Sequence, residues 1–197
     1  MICATCWGSE TDAGGVFLEG VICYVGIGSN MGDAARNCRQ AIILLSQVEG
    51  VKVVCASSFY KTQPVIPEMT GGRSPEEIRQ LENQDWFVNA VVEIRTTLRA
   101  RKILDELLQI EASMGRKRTL KGGSRIIDMD LLFYGQDVIE VTGLSIPHPE
   151  AHRRRFVLEP MCEIASYFIH PSYGVSMRGL KDRLDDQNQV DIYRPEV

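Results

Sequence analysis

Asp128 and Asp130 stand two residues apart in SRIIDMDLLFYG (124–135), an otherwise apolar run. In a strand, alternate side chains share a face and the chain advances about 3.3 Å per residue, so these carboxylates lie on one face roughly 7 Å apart. Half-buried like charges repel unless a cation lies between them, and hard divalent ions such as magnesium take oxygen ligands of this kind. Two readings fit a bare D-x-D: a metal site, or an edge strand that turns its aspartates to water. The surrounding charge favours the first. Arg116-Lys117-Arg118, Lys121 and Arg125 form an acid-free basic loop, and His152-Arg153-Arg154-Arg155 form a second basic cluster, in a chain whose net charge is -4. Polyphosphate with magnesium accounts for both signs, since metal bridges carboxylate to phosphate and arginine donates to phosphate in bidentate fashion. The P-loop pattern G-x-x-x-x-G-K-[ST] is absent, so side chains and the turn Gly28-Ser29-Asn30 would hold a nucleotide. His148 is presented between two prolines; a phosphate contact and a structural hydrogen bond both fit it, whereas His152 and His170 read as surface.

These residues need elements to position them. VICYVGIG (21–28) has the length and apolarity of a buried strand and ends at turn formers. Asp33 can cap a helix whose stripe is Ala34, Cys38, Ala41, Ile42, Leu45 and Val48, stopped by Gly50. VKVVCASSFYKT (51–62) reads as one strand that runs into Gln63-Pro64-Val65, and residues 66–85 read as a long loop of the kind that forms lids. From Trp86 to Thr97, Val88, Ala90, Val92 and Ile94 share one face while Phe87 and Asn89 point to the other. That second face is either pocket-like or a solvent-facing strand start. A helix over 98–114 carries Glu111 on the same stripe as Leu104, Leu107 and Leu108, so an acid faces the core and needs a partner. The order strand, helix, strand, loop, strand, helix, strand predicts an α+β fold with a ferredoxin-like βαββαβ core. A short strand near 137–141 and an amphipathic piece over 158–165 are additions.

At 197 residues and 44% hydrophobic content the chain can bury one good core. Residues 1–20 read as an extension, 21–170 as the domain, and 171–197 as a tail of mixed charge at the surface. No run of about 20 apolar residues occurs, and the first residues lack a basic, then apolar, leader pattern, which points to a cytoplasmic address with no membrane partner. Six cysteines without a secretion signal read as reduced thiols, and Cys3-x-x-Cys6 alone is a weak metal or redox signal.

GSN near the start, SSFYKTQPV, FVNAVVE, IEASMGR, SRIIDMDLLFYG and IPHPEAHRRRFVLEP, six blocks in order between about Val21 and Ala165, together resemble 6-hydroxymethyl-7,8-dihydropterin pyrophosphokinase of folate biosynthesis. The resemblance implies a ferredoxin-like fold and transfer of the β,γ-diphosphate of ATP to the pterin hydroxymethyl, with release of AMP. By the same resemblance Asp128 and Asp130 would hold two Mg2+ ions, and Arg116 and Arg125 would share the catalytic role with them. The ATP contacts would be Glu111, Arg116, Arg118, Arg125, His148 and Arg154. Phe87 and Phe156 would sandwich the pterin, Asn89 would bond its polar edge, and the backbone at Thr62 and Val65 would read the rest. The chain departs from the pattern in having Gly122-Gly123-Ser124 before Arg125 and phenylalanine at 87, where some members have Trp-Pro and tyrosine. No nucleic acid and no obligate protein partner is expected.

Two other classes fit parts of this pattern. A ferredoxin-like RNA-binding module would suit the basic loops, but WFVNAVVE lacks the basic-Gly-aromatic stacking signature, and two strand aspartates repel phosphate unless metal intervenes. A metal-dependent nucleotidyltransferase could use the same D-x-D and would release pyrophosphate instead of AMP.

Overall fold

The apolar run at Val21 forms strand β1 (Val21–Ser29), and Asp33 caps helix α1 (Ala34–Ser46) by accepting the Arg36 N–H at 2.9 Å. The computed structural model describes residues 20–65, 74–117 and 122–195. Next come β2 (Val51–Ala56), β3 (Tyr60–Thr62), α2 (Pro75–Glu82), β4 (Phe87–Thr96), α3 (Ala100–Ser113) and β5 (Asp128–Tyr134). A hairpin of β6 (Ile139–Val141) and β7 (Leu144–Ile146), a 3-10 turn at Ala151–Arg153, α4 (Arg155–Ala165), α5 (Met177–Asp182) and β8 (Val190–Ile192) complete the chain.

The main sheet is antiparallel in order β5-β1-β4-β3-β8, with β2 pairing β4 beside β3. This is the α+β, ferredoxin-like βαββαβ arrangement with additions. Alternation decides its two faces. Cys23, Val25 and Ile27 of β1 join Val88, Val92 and Ile94 of β4 and Met129 and Leu131 of β5 under α1 and α3, which contribute Cys38, Ala41, Leu45, Ile103 and Leu107. Tyr24, Val91, Leu132 and Phe133 face the opposite way and pack on Val157, Leu158 and Met161 of α4 and Met177 of α5. A register shift in the β1–β5 pairing beside Tyr24 sends Leu132 and Phe133 to the same core, so the second face is closed at that end and open towards Asp128 and Asp130. Burial pushes the Cys23 and Cys38 thiols up to about 12, as expected of core thiols.

Four sequence expectations need correction. The stretch 51–62 is two strands, because Ser57 bonds Val91 through its backbone N–H and its hydroxyl, and Ser58 leaves the ladder. The 66–85 loop contains α2, whose capping box pairs the Ser74 hydroxyl with the Glu77 N–H and the Glu77 carboxylate with the Ser74 N–H, with Pro75 in the first turn; residues 66–73 lie outside the described residues. The amphipathic piece is a helix starting three residues earlier, at Arg155, and it tolerates Pro160. Finally, residues beyond 170 are built into the fold: β8 pairs with β3, and Asp186 accepts the Arg155 N–H at 2.8 Å. No described helix is long and apolar enough to cross a membrane.

His170 is also not at the surface. It is 2% exposed, packed edge-on to Phe133 and beside Tyr173 and His152. Its Nδ1 accepts the Ser172 N–H at 3.2 Å, which leaves the hydrogen on Nε2, where no described group accepts it. Burial, then the neighbouring His152, pushes this imidazole down to about 4 from an ordinary 6.5. The unfolded chain therefore binds a proton that the native state refuses between about pH 6.5 and 4, so this residue removes stability as pH falls through that window and removes no more below it. Urea unfolding from pH 7 to 4 is expected to show a loss on the order of 2 kcal/mol assignable to His170. His170→Asn, which keeps an acceptor for Ser172, should be less stable at pH 7 but should flatten that slope; an unchanged slope would mean that other groups titrate there.

Candidate functional site

The open end of the second sheet face is a row of side chains set by register. Gly28 of β1 lies directly between Asp128 of β5 and Asn89 of β4, and Asn89 lies opposite Tyr60 of β3. With strands about 4.8 Å apart, Asp128 and Asn89 stand roughly 10 Å apart across a strand that presents no side chain. Gly26 repeats the arrangement beside Asp130. Two glycines thus separate a carboxylate bank from an amide bank, and neighbouring side chains take the space over them: Leu132 packs over Gly26 and the Asn89 side-chain oxygen lies over Gly28.

On the carboxylate bank, Asp128 receives Arg116 on Oδ1 at 2.6 Å and Arg125 on Oδ2. Arg116 also pairs with Glu111, which is 3% exposed and accepts the Met129 N–H at 2.7 Å. Burial pushes the Glu111 carboxyl above the ordinary range, against the pull of that N–H and of Arg116. This is the inward acid on α3, and its partners are the strand backbone and the basic loop. Asp130 has a different setting: burial first, then repulsion from Asp128, pushes its carboxyl up, while His148 and Arg154 draw it down. Burial pushes the His148 imidazole down against Asp130, so it is neutral at pH 7. Its Nδ1 accepts the Glu150 N–H at 3.1 Å and its hydrogen therefore sits on Nε2, available as a donor. The structural bond and a ligand contact are thus compatible, one on each nitrogen. Arg154 lies with its guanidinium 5.5 Å from the centre of the Phe156 ring. A cleft of about 710 Å³ runs from Asp130 and His148 over Leu104, Leu131 and Leu144 to Glu140 at the β6–β7 hairpin, a size and lining suited to a nucleotide.

On the other bank, Asn89 donates to the buried Thr62 hydroxyl at 2.6 Å, and Phe87 lies opposite Thr62 in the ladder. Val65 is 39% exposed beyond β3, and Arg118 lies outside the described residues.

The turn Gly28-Ser29-Asn30 does something other than present free N–H groups. The Asn30 N–H donates to the Arg125 carbonyl at 3.1 Å, and its side-chain oxygen accepts the Arg125 N–H at 2.7 Å. The Ser29 hydroxyl donates to the Ile126 carbonyl at 2.7 Å. This turn therefore fixes the backbone that carries Arg125, and the Asn30 amide reaches on to Gln84 and the Asp85 carbonyl. Sequence reasoning did not find the close approach of Asn89 to Gly28 either, although Gly26 and Gly28, two apart on one strand face, were its visible signal.

As to a cation, the donor set fits in part. Asp128 and Asp130 offer hard oxygens on one face, and burial first, then the charge of Asp128, pushes the Asp130 carboxyl up, both costs that a cation would offset. Among the described residues no three His, Cys, Asp or Glu side chains gather as a closed metal site, so a bound divalent ion would complete its shell with ligand oxygens and water.

A ferredoxin-like domain with paired carboxylates and convergent arginines on one strand edge, and a buried amide two strands away, carries the donor and acceptor types that polyphosphate and a flat polar ring would need. The model of the 7,8-dihydro-6-hydroxymethylpterin-pyrophosphokinase family matches residues 24–166, and the chain belongs to that family. It is 36% identical over 152 residues to a 2-amino-4-hydroxy-6-hydroxymethyldihydropteridine pyrophosphokinase of Haemophilus influenzae, covering 77% of this chain and 86% of the relative. The Bacillus subtilis protein of the same name is 38% identical over 143 residues, covering 73% and 77%. In fold it is similar to wild-type Plasmodium falciparum HPPK-DHPS solved with pteroate, with a TM-score of 0.61 at 16% identity, over 84% of this chain and 42% of that one.

Gly28 is required by the groove itself, since a Cβ there would collide with the Asn89 side-chain oxygen. Asn89 is a movable side chain, so Gly28→Ala is expected to turn its amide away from Thr62 and not to unfold the sheet. The Asn89 side-chain NH2 signal should lose its exchange protection in NMR while the melting temperature falls by only a few degrees, about 1 kcal/mol. Retained protection would mean that the groove has room for the methyl group.

Proposed function

We propose that this chain transfers the β,γ-diphosphate of ATP to the hydroxymethyl group of 6-hydroxymethyl-7,8-dihydropterin, giving the pterin diphosphate and AMP, as a cytoplasmic enzyme of folate biosynthesis. The observation that supports the reading is the row Asp128–Gly28–Asn89, in which a carboxylate held by two arginines and an amide held by Thr62 stand about 10 Å apart with one strand between them. The names of the family and of its relatives agree with it.

In this reading Asp128 and Asp130 would hold two Mg2+ ions, which would supply positive charge to neutralise the phosphates. Arg116 and Arg125 are held at the site by Asp128 and would donate to the phosphate oxygens. Arg154, Arg118 and the Nε2–H of His148 add donors along the triphosphate, and Glu111 keeps Arg116 in reach. Asn89 and the Thr62 and Val65 backbone bond the pterin edge, with Phe87 and Phe156 on its faces. The pterin hydroxyl oxygen bonds to the β-phosphorus as the bond to the AMP oxygen breaks, and its proton passes to solvent. Positioning and electrostatics suffice, with no covalent enzyme intermediate.

The decisive experiment incubates the protein with ATP, Mg2+ and 6-hydroxymethyl-7,8-dihydropterin and separates the products. AMP and the pterin diphosphate, formed only with both pterin and metal present, are expected; pyrophosphate as product would instead mean nucleotidyl transfer. The aspartates should also separate by variant. Asp130→Asn is expected to lower turnover by about 10²-fold or more with an unchanged or higher melting temperature, since a buried, repelled charge is removed. Asp128→Asn should lose comparable activity and also about 1 kcal/mol of stability, because Arg116 and Arg125 lose their carboxylate. Full activity in either variant would remove that residue from the metal site.

A further inference from the structure

Where β2 gives way to β3, Ser58 has left the ladder to β4, and a displaced backbone N–H needs another acceptor. Glu163, near the end of α4, supplies it. Its two carboxylate oxygens accept the Ser58 N–H at 3.1 and 2.9 Å, one oxygen also accepts the Ser58 hydroxyl at 2.8 Å, and the other accepts the Tyr60 hydroxyl at 2.9 Å. Glu163 is exposed, yet its carboxylate is shared by three donor groups. Charge-assisted bonds of this kind are stronger than neutral ones.

This clamp stands between the two elements that carry the ring-binding bank. Tyr60 is 9% exposed, lies opposite Asn89 in the ladder and is two residues from Thr62, which holds the Asn89 amide. On α4, Glu163 is seven residues after Phe156, two helical turns along the same stripe. The carboxylate therefore fixes β3 relative to the helix that presents Phe156. It touches neither bank of the groove itself.

We infer that Glu163 is a positioning residue for the pterin half of the site: by capping the strand break it holds Thr62 and Asn89 on β3 and β4 in register with Phe156 on α4. The inference rests on the functional reading above and deepens it, because it assigns to one remote carboxylate the geometry of one substrate and not the other. The ATP bank, on β5 and the basic loop, shares no bond with it.

The test is steady-state kinetics with both substrates for wild type, Glu163→Ala, Glu163→Gln, Tyr60→Phe and Glu159→Ala. Glu163→Ala is expected to raise KM for the pterin about tenfold while KM for ATP stays within about twofold. Glu163→Gln, which keeps one acceptor for the Ser58 N–H, should recover part of that loss, and Tyr60→Phe, which deletes a single bond, should show a smaller rise of the same kind. Glu159→Ala is the control. On the same helix as Glu163, it breaks the 3.2 Å pair with Lys181 of α5 and removes no hydrogen bond to β3, and should leave the pterin KM unchanged whatever it does to melting temperature. Equal changes in both KM values, no change in either, or a matching rise in Glu159→Ala would overturn the positioning role. Wild-type protein that forms no pterin diphosphate would overturn the functional reading first, an outcome distinct from all of these.

Discussion

Two carboxylates fixed on one face of a half-buried strand cannot both ionise cheaply, and the site is arranged around that repulsion. The two aspartates meet it differently. Asp128 takes two arginines as counter-ions, and those arginines in turn anchor the basic loop, through Arg116 to the buried Glu111 and through Arg125 to the turn at Asn30. Asp130 has no such direct pair among the described residues; it sits deeper, with His148 and Arg154 nearby, and carries the cost as a raised carboxyl. Positive charge is thereby assembled at the site before any anion arrives, which is the preorganisation that electrostatic catalysis requires.

The scaffold accommodates this through departures from regular sheet geometry. Gly26 and Gly28 remove side chains from the strand between the two banks, which lets Leu132 pack over Gly26 and the Asn89 amide lie close over Gly28. The shift in the β1–β5 pairing turns Leu132 and Phe133 together towards α4 and α5, which closes the second face beyond the aspartates and leaves it open beside them. The break between β2 and β3 does the same on the other side of the sheet. There the lost ladder bond is replaced by the Ser57 hydroxyl and by a helix carboxylate. In each case an irregularity lies next to the groove, and its polar groups are satisfied by a neighbouring element.

Much of this was legible in the chain. The alternation of Val88, Ala90, Val92 and Ile94 against Phe87 and Asn89 assigned the faces of β4 correctly, and the stripe through Leu104 and Leu107 turned Glu111 inward, because period 2 and period 3.6 are properties of a local backbone. The capping box at Ser74–Glu77 was equally local and was present in the sequence, but eight residues among glycines and charges gave too short a period to stand out as α2. The strand β8 was not readable, since three residues in a charged tail become a strand only when β3 offers an edge. Likewise, His170 looks like a surface residue until Phe133, from a strand 37 residues away, covers it.

The sequence by itself determined the order of the main core elements, the faces of β4 and the inward turn of Glu111 on α3, and the residue types that carry the chemistry, all of which follow from spacings within about ten residues. Tertiary structure alone decided which carboxylate is paired and which is strained, that Asn30 serves the Arg125 backbone instead of a ligand, and that Gly28 separates the two banks. The last two depend on strand register and on contacts 61 to 100 positions apart, and the first on how the loop before β5 folds back, since no local pattern encodes which backbone group or charge will stand opposite which side chain.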